Sequence, residues 1–157
     1  MLKEIVKFQP SRRLFLTKAS TAAGLFLAPS QLLGQATIAD RNVTVSSIEV
    51  FTVSVTNRTN WIIVSLNGSN GIVGLGEASV GRRTELNEIK EFFKLVDGES
   101  PFDVQQYRQR GWGKASSGSR TTATAFSAIE QALWDLISKS LDVPFYDLVG
   151  GALNEVL

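Results

Sequence analysis

The chain has neither cysteine nor histidine in its 157 residues. Without cysteine there is no disulfide, no thiolate metal site and no thiol nucleophile. Without histidine the commonest general base and metal ligand is missing. A self-contained Ser-His-Asp hydrolase or His-zinc enzyme is therefore excluded. An excess of charge of one sign is also lacking, since 16 basic residues stand against 15 acidic. That balance gives no basic footprint for nucleic acid and no charge excess of the disordered kind. The longest apolar run, residues 19–33, is too short and too interrupted by Pro29 and Gln31 to span a bilayer. A dinucleotide motif fails as well. Gly74-Leu75-Gly76-Glu77 has no third glycine, and no helix opens directly after it.

What is present divides into a basic opening, a β-rich stretch and a helical remainder. From Val43 the pattern is that of strands. Phe51, Val53 and Val55 alternate with Thr52, Ser54 and Thr56, which predicts a half-buried strand with the first set inward. Residues 57–60 read as a polar loop, and 61–66 as a second strand with Ile62, Val64 and Leu66 on one face. Asn67-Gly68 and Asn70-Gly71 are hairpin turn signals, so 72–78 is a third strand, antiparallel to the second. Gly74 and Gly76 share one face of it, which implies a close approach by backbone or ligand.

Helices follow. Thr84 is placed to cap a segment in which Leu86, Ile89, Phe93 and Val96 recur at helical spacing. Ser100-Pro101-Phe102-Asp103 combines a cap serine, proline at the first helical position and an acid at the third, and Tyr107 continues the apolar side. Residues 111–119 (GWGKASSGS) read as a flexible connection. Lys114 lies in it, but the G-K-[ST] ending of a phosphate-binding loop is absent.

Residues 123–151 organise the whole. At about 100° per residue, Phe126, Ile129, Leu133, Leu136 and Ile137 fall on one apolar arc, with Ala125 and Trp134 at its margins. Ser127, Gln131 and Asp135 fall on the far side. Thr121 or Thr122 is placed to cap the helix, Pro144 ends it, and Asp135–Lys139 forms a favourable i,i+4 pair. Glu130 breaks the pattern by projecting from the apolar side. It is either a structural carboxylate satisfied by an arginine or loop amides, or an acid at a site.

The run AFSAIEQALWDLISKSLDVPFYDLVGG resembles the last helix of the N-terminal capping domain of the enolase superfamily, in the mandelate racemase/muconate-lactonizing enzyme branch. Two positions depart from the usual pattern: Asp142 replaces a glycine, and Asn154 an arginine. Together with the meander and its G-x-G-E-A strand, the resemblance extends from about Ser46 to the end. It implies an α+β fold, a three-stranded antiparallel β-meander followed by a helical layer.

In that superfamily a (β/α)8-type barrel follows the cap. Three carboxylates hold Mg²⁺ there, and a Lys or His base removes the proton α to a carboxylate. The complete enzyme is thereby expected to be a Mg²⁺-dependent lyase or isomerase: a sugar-acid dehydratase, racemase or cycloisomerase. Two loops of the cap close over the barrel mouth. By position they are 57–60, with Arg58 and Asn60, and the stretch after Glu77, with Arg82 and Arg83; the arginines are suited to meet a substrate carboxylate. No catalytic residue, metal ligand or cofactor is assigned within this chain. Leu157 lies six residues past Gly151, where the first barrel strand is expected. The expectation is a truncated polypeptide, inactive alone, that needs its missing barrel or a separate barrel chain. The alternatives are a split enzyme and a stand-alone exported binding module, for which an uncovered apolar patch favours self-association.

The opening residues, 1–36, read as an address ahead of a domain at 37–150, with 151–157 starting the linker to a barrel. Ser11-Arg12-Arg13-Leu14-Phe15-Leu16-Thr17-Lys18 resembles the twin-arginine export signal, and small residues follow at Gly34 and Ala36. The resemblance implies recognition by the twin-arginine export machinery and a periplasmic or extracytoplasmic destination. Five of the basic residues but only Glu4 among the acids lie in this segment, so the rest of the chain is net acidic.

Overall fold

The computed structural model describes residues 4–8, 41–56, 59–78 and 83–151, with residues 4–8 and 83–85 described by their backbone. The twin-arginine stretch with Ser11, Arg12, Arg13, Phe15, Leu16 and Lys18, and the loop arginines Arg58 and Arg82, lie outside the described residues.

The expected meander is present. β1 (Glu4–Phe8), β2 (Val45–Thr56), β3 (Thr59–Gly68) and β4 (Val73–Ala78) form one antiparallel sheet in sequence order. The β3–β4 turn is closed as its glycines require. Gly71 takes φ 82°, Gly68 N–H donates to the Ile72 carbonyl at 2.8 Å, and the Asn70 side chain accepts from Ile72 N–H at 3.1 Å. β1 was not anticipated from its sequence. It adds a fourth strand on the outer side of β2, with Val6 opposite Val50.

The inward face of β2 differs from expectation. Ile48 and Val50 are fully buried, whereas Phe51 and Val53 are partly covered and Val55 is 47% exposed. The pairing register decides it. Ile48, Val50 and Thr52 stand opposite Leu66, Val64 and Ile62, and residues paired across strands share a face. Ile62, Val64 and Leu66 are the core face of β3, as expected. Local alternation alone shows that one set faces inward without showing which.

α1 (Arg83–Phe93) begins one residue ahead of Thr84, so that threonine lies inside the helix. Its Ile89, Phe92 and Phe93 enter the core, as does Val96 beyond it. A 3₁₀ turn (Pro101–Asp103) starts as expected from Ser100, whose hydroxyl accepts from Phe102 N–H at 3.3 Å. It leads directly into α2 (Val104–Ser117), which continues to within two residues of the next helix. The flexible linker expected over 111–119 is therefore mostly helix. Tertiary packing overrides the low propensity of its glycines: a Cβ on Gly111 would meet the ring of Phe126 at 2.6 Å. Lys114 is taken by Glu88 at 2.9 Å and lies 5.0 Å from the Phe92 ring centre.

α3 (Arg120–Ser140) is the organising helix, capped by Ser119 rather than Thr121 or Thr122. Phe126, Ile129, Leu133, Leu136 and Ile137 are buried as expected. Phe126 gathers an aromatic cluster, stacked on Tyr107 at 4.7 Å and edge-on to Phe92 at 5.3 Å. The Tyr107 hydroxyl donates to the Phe126 carbonyl at 2.9 Å; burial, and secondarily Glu130, push its pKa well above the usual phenol range. Glu130 is satisfied by an arginine, Arg108, at 3.5 Å. The helix ends with Asp142 at φ 54°. Asp142 N–H donates to the Lys139 carbonyl and Val143 N–H to that of Ser138, the pairing a glycine normally closes. Pro144 and the short α4 (Phe145–Leu148) follow.

Candidate functional site at the loop end of the sheet

α3 runs antiparallel to β4 because β4 has no side chains in the way. A Cβ at Gly74 would overlap the carbonyl oxygen of Ala132, and one at Gly76 that of Ala128. The close approach expected at these glycines is therefore made by helix backbone. Ala125, Ala128 and Ala132, all fully buried, keep the helix side of the seam equally thin.

This approach brings a second row of α3 residues level with the open edge of β4. Asp135 Oδ2 accepts from Leu75 N–H at 2.8 Å, and Gln131 Oε1 accepts from Glu77 N–H at 3.2 Å. Lys139 Nζ donates to the Val73 carbonyl at 2.9 Å and to Asp135 at 2.6 Å. Three side chains at i, i+4 and i+8 thus stand in for a fifth strand and close the edge. Sequence reading placed Gln131 and Asp135 on the solvent side of the helix and missed this role. Polar acceptors at that spacing, beside a strand with glycines at alternate positions, are the signal that was available.

The β2–β3 connection at 57–58 and the β4–α1 connection at 79–82 leave the same end of the sheet, since Thr56 pairs with Thr59 and Ala78 with Ile62. The N-terminal half of α3 reaches that end too. There Glu77, Arg120, Thr124, Ser127 and Gln131 line an open groove of about 370 Å³. Of the residues singled out from sequence, Glu77 is exposed and lines this groove. Asn60 is not a loop residue: it lies on β3, opposite Ser54 and partly buried. Strand alternation sets it on the opposite face of the sheet from Glu77. Arg83 is the first residue of α1 rather than part of the loop. Arg120, which sequence reading did not select, is a described cation lining the groove.

Among the described residues no three acidic side chains converge as a metal site requires. These residues do not fit the Mg²⁺ expected of a complete enzyme, and no step through it is assigned to them.

A match over residues 34–150 to the mandelate racemase/muconate lactonizing enzyme N-terminal domain decides the family. The chain belongs to it. A D-xylonate dehydratase of Haloferax volcanii is 38% identical over 112 residues, covering 68% of this chain and 26% of its own length. A D-gluconate/D-galactonate dehydratase of Picrophilus torridus is 36% identical over 104 residues, 61% of this chain and 26% of that protein. Among solved structures, a mandelate racemase/muconate lactonizing enzyme from Sulfitobacter sp. aligns with a TM-score of 0.61 at 32% identity, over 72% of this chain and 31% of that one. An enolase-superfamily member from Salmonella Typhimurium aligns with a TM-score of 0.63 at 25% identity, again over 72% and 31%. The chain spans about a quarter of the length of these curated relatives. The expected α+β fold, a meander followed by helices, is that of the family's N-terminal domain.

The edge ladder generates a direct test. Asp135→Ala leaves Leu75 N–H without its acceptor and Lys139 without its ion-pair partner, and should lower stability by about 1 kcal/mol, as expected for a charged hydrogen bond at a partly exposed site. Asp135→Asn keeps an acceptor oxygen and should lose less. Urea denaturation of the three proteins reads the order.

Proposed function

We propose that this domain is the substrate-selecting cap of a lyase or isomerase that abstracts the proton α to a carboxylate, of the sugar-acid dehydratase type. The observation that carries the reading is geometric. The strand ends from which both connections depart and the polar groove of Glu77 and Arg120 lie at one end of the sheet in a chain of this family. The relatives named as D-xylonate and D-gluconate/D-galactonate dehydratases supply the substrate class.

On this reading Mg²⁺ and the proton-abstracting base belong to the barrel, supplied by further polypeptide or by a separate chain. The cap's own work is to bind, orient and exclude water. Arg58, Arg82 and Arg83 are the cations proposed to meet the substrate carboxylate, with Glu77 as a polar neighbour. A hydrogen bond to a charged group is worth about 1.5–3 kcal/mol, so loss of the operative arginine should cost roughly 10- to 100-fold in kcat/KM. A second reading, a cap acting as a non-catalytic binding module, is favoured by Trp61 and Leu75, half exposed on the outer sheet face.

A chimera separates the two. Residues 43–151 are grafted in place of the matching region of the Haloferax volcanii enzyme, and circular dichroism checks that the product folds. The cap reading expects dehydration to persist with an altered ranking of sugar acids. A folded chimera with an unchanged ranking, or with none, contradicts it.

We further propose that residues 11–18 direct the protein to the twin-arginine export machinery and so out of the cytoplasm. Replacing Arg12 and Arg13 together by lysine should leave the protein in the cytoplasmic fraction. Unchanged export of that variant would refute the assignment.

A further inference from the structure

The sheet has two edges, and they are closed in different ways. The β4 edge is sealed by α3 through Gln131, Asp135 and Lys139, as described above. On the other side, Val45 at the start of β2 exchanges hydrogen bonds with the turn after α1, accepting from Gly98 N–H and donating to the Glu99 carbonyl, both at 2.9 Å. Beyond it, among the described residues, Ile48 to Thr52 pair on that side with β1. That cover is five residues long on a strand of twelve. It belongs to the opening segment, separated from β2 by 36 residues of chain (9–44).

We propose that the outer edge of β2 is a strand-acceptor site, guarded in cis by Glu4–Phe8 and taken by β2 of a second copy once that strand is detached. The register supports this occupant. β1 places Phe8, Val6 and Glu4 opposite Ile48, Val50 and Thr52. Two antiparallel copies of β2 centred on Val50 would set Val50 against Val50 and Ile48 against Thr52. The inner face then keeps an apolar centre at the same position. On the outer face, Phe51 would stand opposite Glu49, where β1 instead sets lysine 7.

The cis strand wins while it is attached. Its backbone register along five residues of β2 is already formed. The tether also gives it an effective concentration on the order of millimolar, roughly 10³ above a micromolar second copy. Detachment removes both advantages and leaves a long edge rich in β-branched residues, a template for pairing. Cleavage at the small residues Gly34 and Ala36, the pattern of a removable export signal, would achieve that detachment. Dimerisation does not depend on the catalytic reading.

The test uses the full chain. Val6→Pro removes a backbone donor at the centre of β1 and leaves β2 untouched. Light scattering after size exclusion should show the mass of Val6→Pro doubled relative to the unaltered chain at micromolar concentration. A synthetic peptide of residues 1–10 in excess should return it to the original mass. As a second route, a protease site inserted at residues 37–40 releases the strand from already folded protein and should give the same doubling. Folding is checked by circular dichroism, and amide exchange at 48–52 reports whether the strand has left. Faster exchange at 48–52 with unchanged mass overturns the proposal. So does a doubled mass indifferent to the peptide, which would place the contact elsewhere.

Discussion

The seam between α3 and β4 is the constraint on which the rest depends. Two glycines at alternate positions of one strand let a helix backbone lie where side chains would otherwise stand. Everything at the loop end follows from that distance. Only a helix this close can pass Gln131, Asp135 and Lys139 over the strand edge. Only a helix in this direction delivers Arg120 to the end where both connections leave the sheet. The aromatic cluster around Phe126 then ties α1 and α2 to the opposite flank of the same helix.

The arrangement divides labour along one helix. The arc with Phe126, Ile129, Leu133 and Ile137 makes the core with α1 and α2, the alanine row makes the seam, and the polar row closes the edge. Glu130 sits between these regions and is held by Arg108. That pairing is the arginine partner expected of a structural carboxylate. On the cap reading proposed above, such a scaffold is what a selecting cap needs if its contacts are to be made at a fixed distance from a reacting centre.

Much of this was legible in the sequence, for identifiable reasons. The α3 periodicity, the Asn-Gly turns and the Ser100-Pro101 start are local signals, and each folded as read. Asp142 at a left-handed helix end was equally legible, because the family pattern has glycine there and the chain must still turn. The failures all involve partners distant in the chain. The inward face of β2 is set by its register with β3. The helical state of 111–117 is set by the Phe126 ring against Gly111. The edge ladder needs residues some 60 positions apart. β1 needs a partner 40 or more positions away. Of the candidate site, Glu77 lines the groove at the loop end, Asn60 lies on β3, and Arg58 and Arg82 lie outside the described residues.

The central claim is that helix backbone on glycine holds the loop end in place. Urea denaturation of Gly76→Ala against Gly113→Ala tests it most directly. Gly113 lies in α2 with nothing within 4 Å of where a Cβ would stand. There the exchange should stabilise by up to about 1 kcal/mol through helix propensity. At Gly76 the same methyl group must displace the Ala128 carbonyl and should destabilise by about 1–3 kcal/mol. Opposite signs at the two glycines support the account. A Gly76→Ala protein as stable as the unaltered chain would contradict it.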